Sequence, residues 1–235
     1  MRIASFDIGK KNFAFYVEEM DLDELEDLKK IYKGLDKIHQ RRIKGHMNVH
    51  IANILDKLFK NGKRIEMGVF DIRHDKTSND LDLQTRVNMH TLLKKHEHLW
   101  DSCQIIVIEQ QYFNVQSGGR KSNSAQKGAN VDALKLAECC LNWFLDKYYP
   151  FKEICYFGAI FKTQMLGAPD SMTKPQRKKW SILKATEIFT TRNDIEAIDQ
   201  MKSSRTFDGK KQKSDDVCDC LIMTQAYKYR NFVMG

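Results

Sequence analysis

Four acidic residues have types and settings suited to chemistry at phosphate. Asp7 lies in the run Ile3-Ala4-Ser5-Phe6-Asp7-Ile8-Gly9, and Glu109 closes the apolar run Ile105-Ile106-Val107-Ile108-Glu109. Asp216 and Asp219 stand three apart in Ser214-Asp215-Asp216-Val217-Cys218-Asp219, so a helix would put both on one face. Carboxylates gathered from distant segments repel unless a hard divalent cation neutralises them. Mg²⁺ takes oxygen ligands and keeps positions open for phosphate, and two such ions a few ångströms apart serve phosphodiester hydrolysis. Taken singly, each acid reads as a turn cap or as a partner of a helix dipole. A set of four from the start, the middle and the end of the chain points instead to a shared site.

The charge balance fits a phosphate-bearing partner. Lys and Arg total 39 against 31 Asp and Glu, a formal charge of +8 over 235 residues, as expected where the partner is nucleic acid. The six cysteines include the adjacent pair Cys139-Cys140 and no CxxC. They read as reduced thiols rather than a secretory framework or a zinc site. The chain opens on a strand pattern without a leader and carries no stretch long enough to span a bilayer, so the expectation is a cytoplasmic, unsecreted protein with no membrane partner.

The elements that must position the acids follow from periodicity. Ile3 to Ile8 and Phe13 to Val17 read as a hairpin turning through Gly9-Lys10-Lys11-Asn12. Asp21 to Lys33 and Val49 to Lys60 show helical spacing and read as an insertion around 21–60. Arg64 to Ile72 reads as a third strand, and Asn79 to Leu99 as one helix with Val87, Leu92, Leu93 and Leu99 inward. The continuous apolar run to Glu109 marks a strand covered on both faces. A Gly, Ser, Asn and Lys-rich loop over Gln116 to Gly128 then leads to a helix from Val131 to Tyr148, stopped by Pro150. Ile154 to Ile160 reads as another strand. Lys174 to Phe189 reads as a basic helix with Trp180, Ile182, Leu183 and Ile188 inward, and Thr190 to Lys213 as a mobile connection. Such an order implies one α/β domain, a mixed sheet flanked by helices, whose central strand ends share a crevice holding Asp7 and Glu109.

Phe6-Asp7-Ile8-Gly9, Ile108-Glu109-Gln110-Gln111-Tyr112-Phe113 with Asn123-Ser124-Ala125 and a long helix behind it, the run Lys174-Pro175-Gln176-Arg177-Lys178-Lys179, and Asp216-Val217-Cys218-Asp219 occur in that order over nearly the whole chain. In this the sequence resembles the Holliday junction resolvases of the RuvC type, and within them most nearly the poxvirus resolvases. The resemblance implies an RNase H-like fold with helices on both faces of the sheet, a homodimer, and paired symmetric nicks in four-way DNA made with two Mg²⁺ ions, Mn²⁺ serving as a substitute. It also implies work in DNA recombination and viral concatemer processing. Asp7, Glu109, Asp216 and Asp219 become metal ligands, with Asp7 central, and the family pattern favours Asp216 over its neighbour Asp215.

The same family places a lysine near the helix after the fifth strand. Lys174, Lys178 and Lys179 all qualify, and Lys178 is preferred as the group that steadies charge in the transition state. Lys10, Lys11, Arg120, Lys121, Lys127, Lys174, Arg177 and Lys179 are the expected contacts to the DNA backbone. Tyr112 and Phe113 are candidates for stacking on a splayed base, or for the core. The histidines, His96 and His98 among them, read as surface residues. Two other readings stand beside the resolvase: a nuclease on RNA–DNA hybrid or ribosomal RNA precursor, and a non-catalytic DNA-binding adaptor.

Overall fold

The computed structural model describes residues 1–37, 39–40, 47–77, 80–111, 131–203 and 215–235. Strands β1 (Arg2–Asp7) and β2 (Phe13–Glu19) form the expected hairpin, with Asp7 opposite Ala14. Its turn needs Gly9, because a Cβ there would press to 3.0 Å from the Asn12 carbonyl oxygen. Strand β3 (Lys63–Phe70) pairs antiparallel with β2, while β4 (Ile105–Gln110) runs parallel to β1 and β5 (Glu153–Gly158) parallel to β4. The sheet order is β3-β2-β1-β4-β5.

Alternation along the strands sorts the core into two layers. Ile3, Ala14, Tyr16, Ile105 and Val107 face one side. There they meet α1 (Leu22–Gly34), α2 (Val49–Lys60), α7 (Lys174–Thr191) and α9 (Asp215–Lys228). Ala4, Phe6, Phe13, Phe15, Ile106 and Ile108 face the other. They meet α3 (Leu83–Lys95), α4 (Glu97–Asp101) and α5 (Val131–Tyr148), with Trp100 and Phe144 set 5.0 and 5.1 Å from the Phe6 ring. Both faces of β4 are thus covered, which accounts for its unbroken apolar run.

The helix read over 79–99 is two helices. The indole N–H of Trp100 bonds the Leu93 carbonyl at 2.9 Å, taking an acceptor that a continuing helix would use, and the chain bends at His96. His96 is not a free surface side chain: its ring packs 5.4 Å from Phe15 and 5.5 Å from Phe70. Val87 and Leu183 are exposed rather than inward, 44% and 60%, because their helices turn Met89 and Ala185 to the core instead.

The strand expected to reach Ile160 stops at Gly158, and the chain turns at once into α6 (Ala159–Met165). The stretch expected as a mobile connection contains α8 (Ile195–Ser203). Asp194 caps that helix by accepting from the Ala197 N–H, and Arg64 of β3 grips Asp194 through two bonds of 2.8 and 3.0 Å. A partner 130 residues away in sequence has no local signature. The six cysteines are free thiols. Among the described residues no helix is long and apolar enough to cross a membrane.

Candidate active site

Asp7 follows Ile3 and Ser5 on the face covered by α9, and Glu109 follows Ile105 and Val107 on that same face. Phe6 is registered against Ile108 in the parallel pair, so the next residues on each strand, Asp7 and Glu109, leave the sheet side by side at its carboxyl end. This is where open α/β sheets hold their ligands. Helix α9 lies close against β1 because the small Ser5 lets it approach. The Ser5 hydroxyl donates to the Cys220 carbonyl at 2.9 Å and accepts from the Thr224 hydroxyl at 2.8 Å. The first turns of α9 thereby bring Asp216 and Asp219 into the same cleft of about 840 Å³ that Asp7 and Glu109 line.

A residue the sequence reading passed over sits at the centre. The Lys162 ammonium, from α6, lies 2.6 Å from Glu109 Oε1 and 3.3 Å from Asp219 Oδ2. Gln111 donates to the other oxygen of Glu109 at 3.2 Å. The Asp7 carboxyl is hydrogen-bonded to Glu109 and held well above the ordinary carboxylate range, first by burial, then by the negative charge of Glu109, with Asp219 adding to it against the pull of Lys162. Burial pushes Glu109 up as well, but the Lys162 ammonium and the bond from Asp7 outweigh it and keep Glu109 ionised. Lys162 itself is buried, which favours the neutral amine, yet the surrounding acids raise its pKa and fix it as a cation.

Among the described residues no three acids stand close enough together to hold an ion between them; Lys162 contacts two of the four. The donor chemistry nevertheless suits a hard divalent cation. The cleft is lined by carboxylates, without thiol or imidazole, and at Asp7, beyond the effect of burial, the negative charge of Glu109 and Asp219 outweighs the pull of Lys162.

A stability test follows from that imbalance. A carboxyl whose folded pKa is raised favours the native state at acid pH and loses that contribution as pH rises through the folded value. Metal-free protein should therefore lose stability from the ordinary carboxylate range upward. Asp7→Asn should melt above wild type at neutral pH, by about 2–4 °C for each kcal/mol relieved, as scanning calorimetry in a chelator would read. An Asp7→Asn variant that melts lower would show Asp7 to be a structural partner.

Lys10, Lys11, Lys174, Arg177 and Lys178 also line the cleft, whereas Lys179 is exposed outside it. Lys178 pairs with Asp215, whereas Lys162 contacts Glu109 and Asp219; Asp216 and Asp219 both line the cleft. Lys10 is bound to Asp132, in the first turn of α5, at 2.6 Å. Tyr112, Phe113, Arg120, Lys121 and Lys127 lie outside the described residues.

A mixed sheet ordered 3-2-1-4-5, with acids at the ends of its central strands and on a closing helix, is an RNase H-like fold of the RuvC type. The RuvC structure of Thermus thermophilus superposes with a TM-score of 0.51 at 11% identity, covering 98% of this chain and 95% of that one. A fowlpox virus resolvase in complex with Holliday junction DNA gives 0.48 at 16% identity, covering 98% of each chain. No family model matches the sequence. The chain is 30% identical over 247 residues to the uncharacterized protein 170L of Invertebrate iridescent virus 6, covering 97% of this chain and 88% of that one. Uncharacterized protein 97L of Invertebrate iridescent virus 3 is 27% identical over 229 residues, covering 96% and 98%. The chain belongs to the same family as protein 170L.

Proposed function

We propose that this protein is a metal-dependent endonuclease that resolves four-way and other branched DNA by paired symmetric nicks, acting as a homodimer on viral DNA in the host cytoplasm. The observation that carries the reading is the convergence of Asp7, Glu109, Asp216 and Asp219 on one cleft whose walls bear Lys10, Lys11, Lys174, Arg177 and Lys178. Mg²⁺ or Mn²⁺ bound there would activate water and steady the leaving oxygen. Asp7 and Glu109 from the sheet and Asp216 and Asp219 from α9 are the residues to hold it. Lys162 keeps Glu109 ionised and orients it through the 2.6 Å bond, and its fixed positive charge lies where negative charge grows as the phosphodiester is attacked. The basic side chains of the cleft grip the backbone on either side of the cut without reading sequence.

The direct test incubates the protein and Mg²⁺ with a four-way DNA junction, a nicked duplex and an RNA–DNA hybrid in separate reactions. Symmetric nicks confined to the junction are expected. Cutting of the hybrid would instead assign the same acids to an RNase H-type activity, and binding without cutting of any substrate would leave an adaptor.

A further inference from the structure

The Lys10–Asp132 pair is unlike the other ion pairs of the cleft. Lys162 and Lys178 reach acids of the catalytic cluster or its immediate neighbour on α9, whereas Lys10 crosses from the β1–β2 turn to the start of α5 and binds an acid with no place in the nuclease chemistry. Both side chains are largely covered, 19% and 30% exposed, and both line the same wall as Asp7 and Glu109. The turn that carries Lys10 is anchored: its carbonyl accepts from the Ile72 N–H at 3.0 Å. A lysine at a DNA-binding surface usually extends into solvent, where any phosphate can find it. This one is drawn inward by a carboxylate 2.6 Å away.

We infer that Asp132 is a specificity residue: it tethers Lys10 inside the cleft and reserves that ammonium for a phosphate that enters with a branch-point strand. The inference rests on the DNA-junction reading above. A linear duplex is stiff and carries its phosphates on a cylinder that bends only at a cost, so its backbone does not follow the cleft wall inward. Strands at a branch point are released from that stiffness and can. For such a strand the phosphate replaces Asp132 as the partner of Lys10; for a duplex, Lys10 stays with Asp132 and one counterion-releasing contact is withheld. Asp132 acts through Lys10 and is a positioning residue.

Asp132→Asn keeps the size of the side chain and removes the charge. In metal-free binding titrations across a salt series, linear duplex should bind roughly threefold to tenfold more tightly, with a log–log salt slope steeper by about 0.9, the value of one added phosphate contact. On the junction that contact is already made, so the salt slope should stay unchanged, and the gain from no longer displacing Asp132 should be smaller than the gain on duplex. Asp132→Ser should behave likewise. In a Lys10→Gln background the Asp132 substitution should have no effect.

Equal tightening on both DNAs, no change on duplex, or an undiminished effect without Lys10 would each overturn the inference while leaving the nuclease assignment in place. Wild-type protein that bound neither DNA would overturn both.

Discussion

Asp7→Asn protein should bind a four-way DNA junction as tightly as wild type and leave it uncut, with the single-turnover cleavage rate lower by on the order of a thousandfold or more. Asn preserves the shape of the side chain and its bond to Glu109, and removes the charge of the carboxylate that faces both Glu109 and Asp219. Affinity should survive because phosphates are gripped by the basic wall, and subtracting a negative charge from the cleft cannot weaken that attraction. Glu109→Gln and Asp216→Asn should behave alike. The lysines separate by the same assay: Lys162→Met should lower the rate at saturating junction, since Lys162 touches Glu109 and Asp219, whereas Lys178→Met should raise the junction concentration needed and spare the saturated rate. Cleavage retained by the Asp7→Asn protein would remove Asp7 from the site.

Why the acids could be placed from sequence and Lys162 could not is a matter of periodicity. Residues 3, 5 and 7 alternate with 4 and 6, and 105, 107 and 109 with 106 and 108. Two short runs therefore fix which way Asp7 and Glu109 face once both strands are known to lie in one sheet. The three-residue spacing of Asp216 and Asp219 does the same on a helix. Lys162 sits in a seven-residue helix that directly continues a strand, and Ala159-Ile160-Phe161 reads as more of that strand. A lone lysine closing an apolar run was the available signal. The pairing of Asp132 has no local signature either, because its partner Lys10 is 122 residues away. Helix α8 was hidden for the same reason, its cap being held by Arg64 from a distant strand.

Glu18→Gln should cost about 3–5 kcal/mol of stability, as expected when one side of a buried ion cluster is deleted, measured by urea unfolding. Glu18 is fully buried on β2. It accepts from Arg192 at 2.5 Å, Lys228 at 2.6 Å, Tyr16 at 2.8 Å and Gln225 at 3.0 Å. The two cations also donate to the Asn61 carbonyl, each at 2.6 Å, so one carboxylate ties β2, α7, α9 and the end of α2 together. Gly62 is part of the arrangement: its φ is +113° and a Cβ there would collide with the Glu18 carboxylate.

Burial pushes Glu18 up, but Arg192 and Lys228 outweigh it and draw its pKa down to about 2. Two cations share this single anion, and the excess falls on Lys228. Burial lowers it to about 8, with Glu18 opposing and Arg192 adding to the shift. Between that value and its ordinary 10.5, the unfolded chain holds a proton the folded one has released, so stability rises with pH across the window. Without Glu18 the window widens, and the Glu18→Gln protein should regain part of its lost stability as the pH is raised toward 10.5. Lys228→Met removes the surplus cation and leaves Glu18 paired with Arg192, so it should cost clearly less than Glu18→Gln. Equal losses for the two variants would show that the cluster contributes through packing rather than through charge.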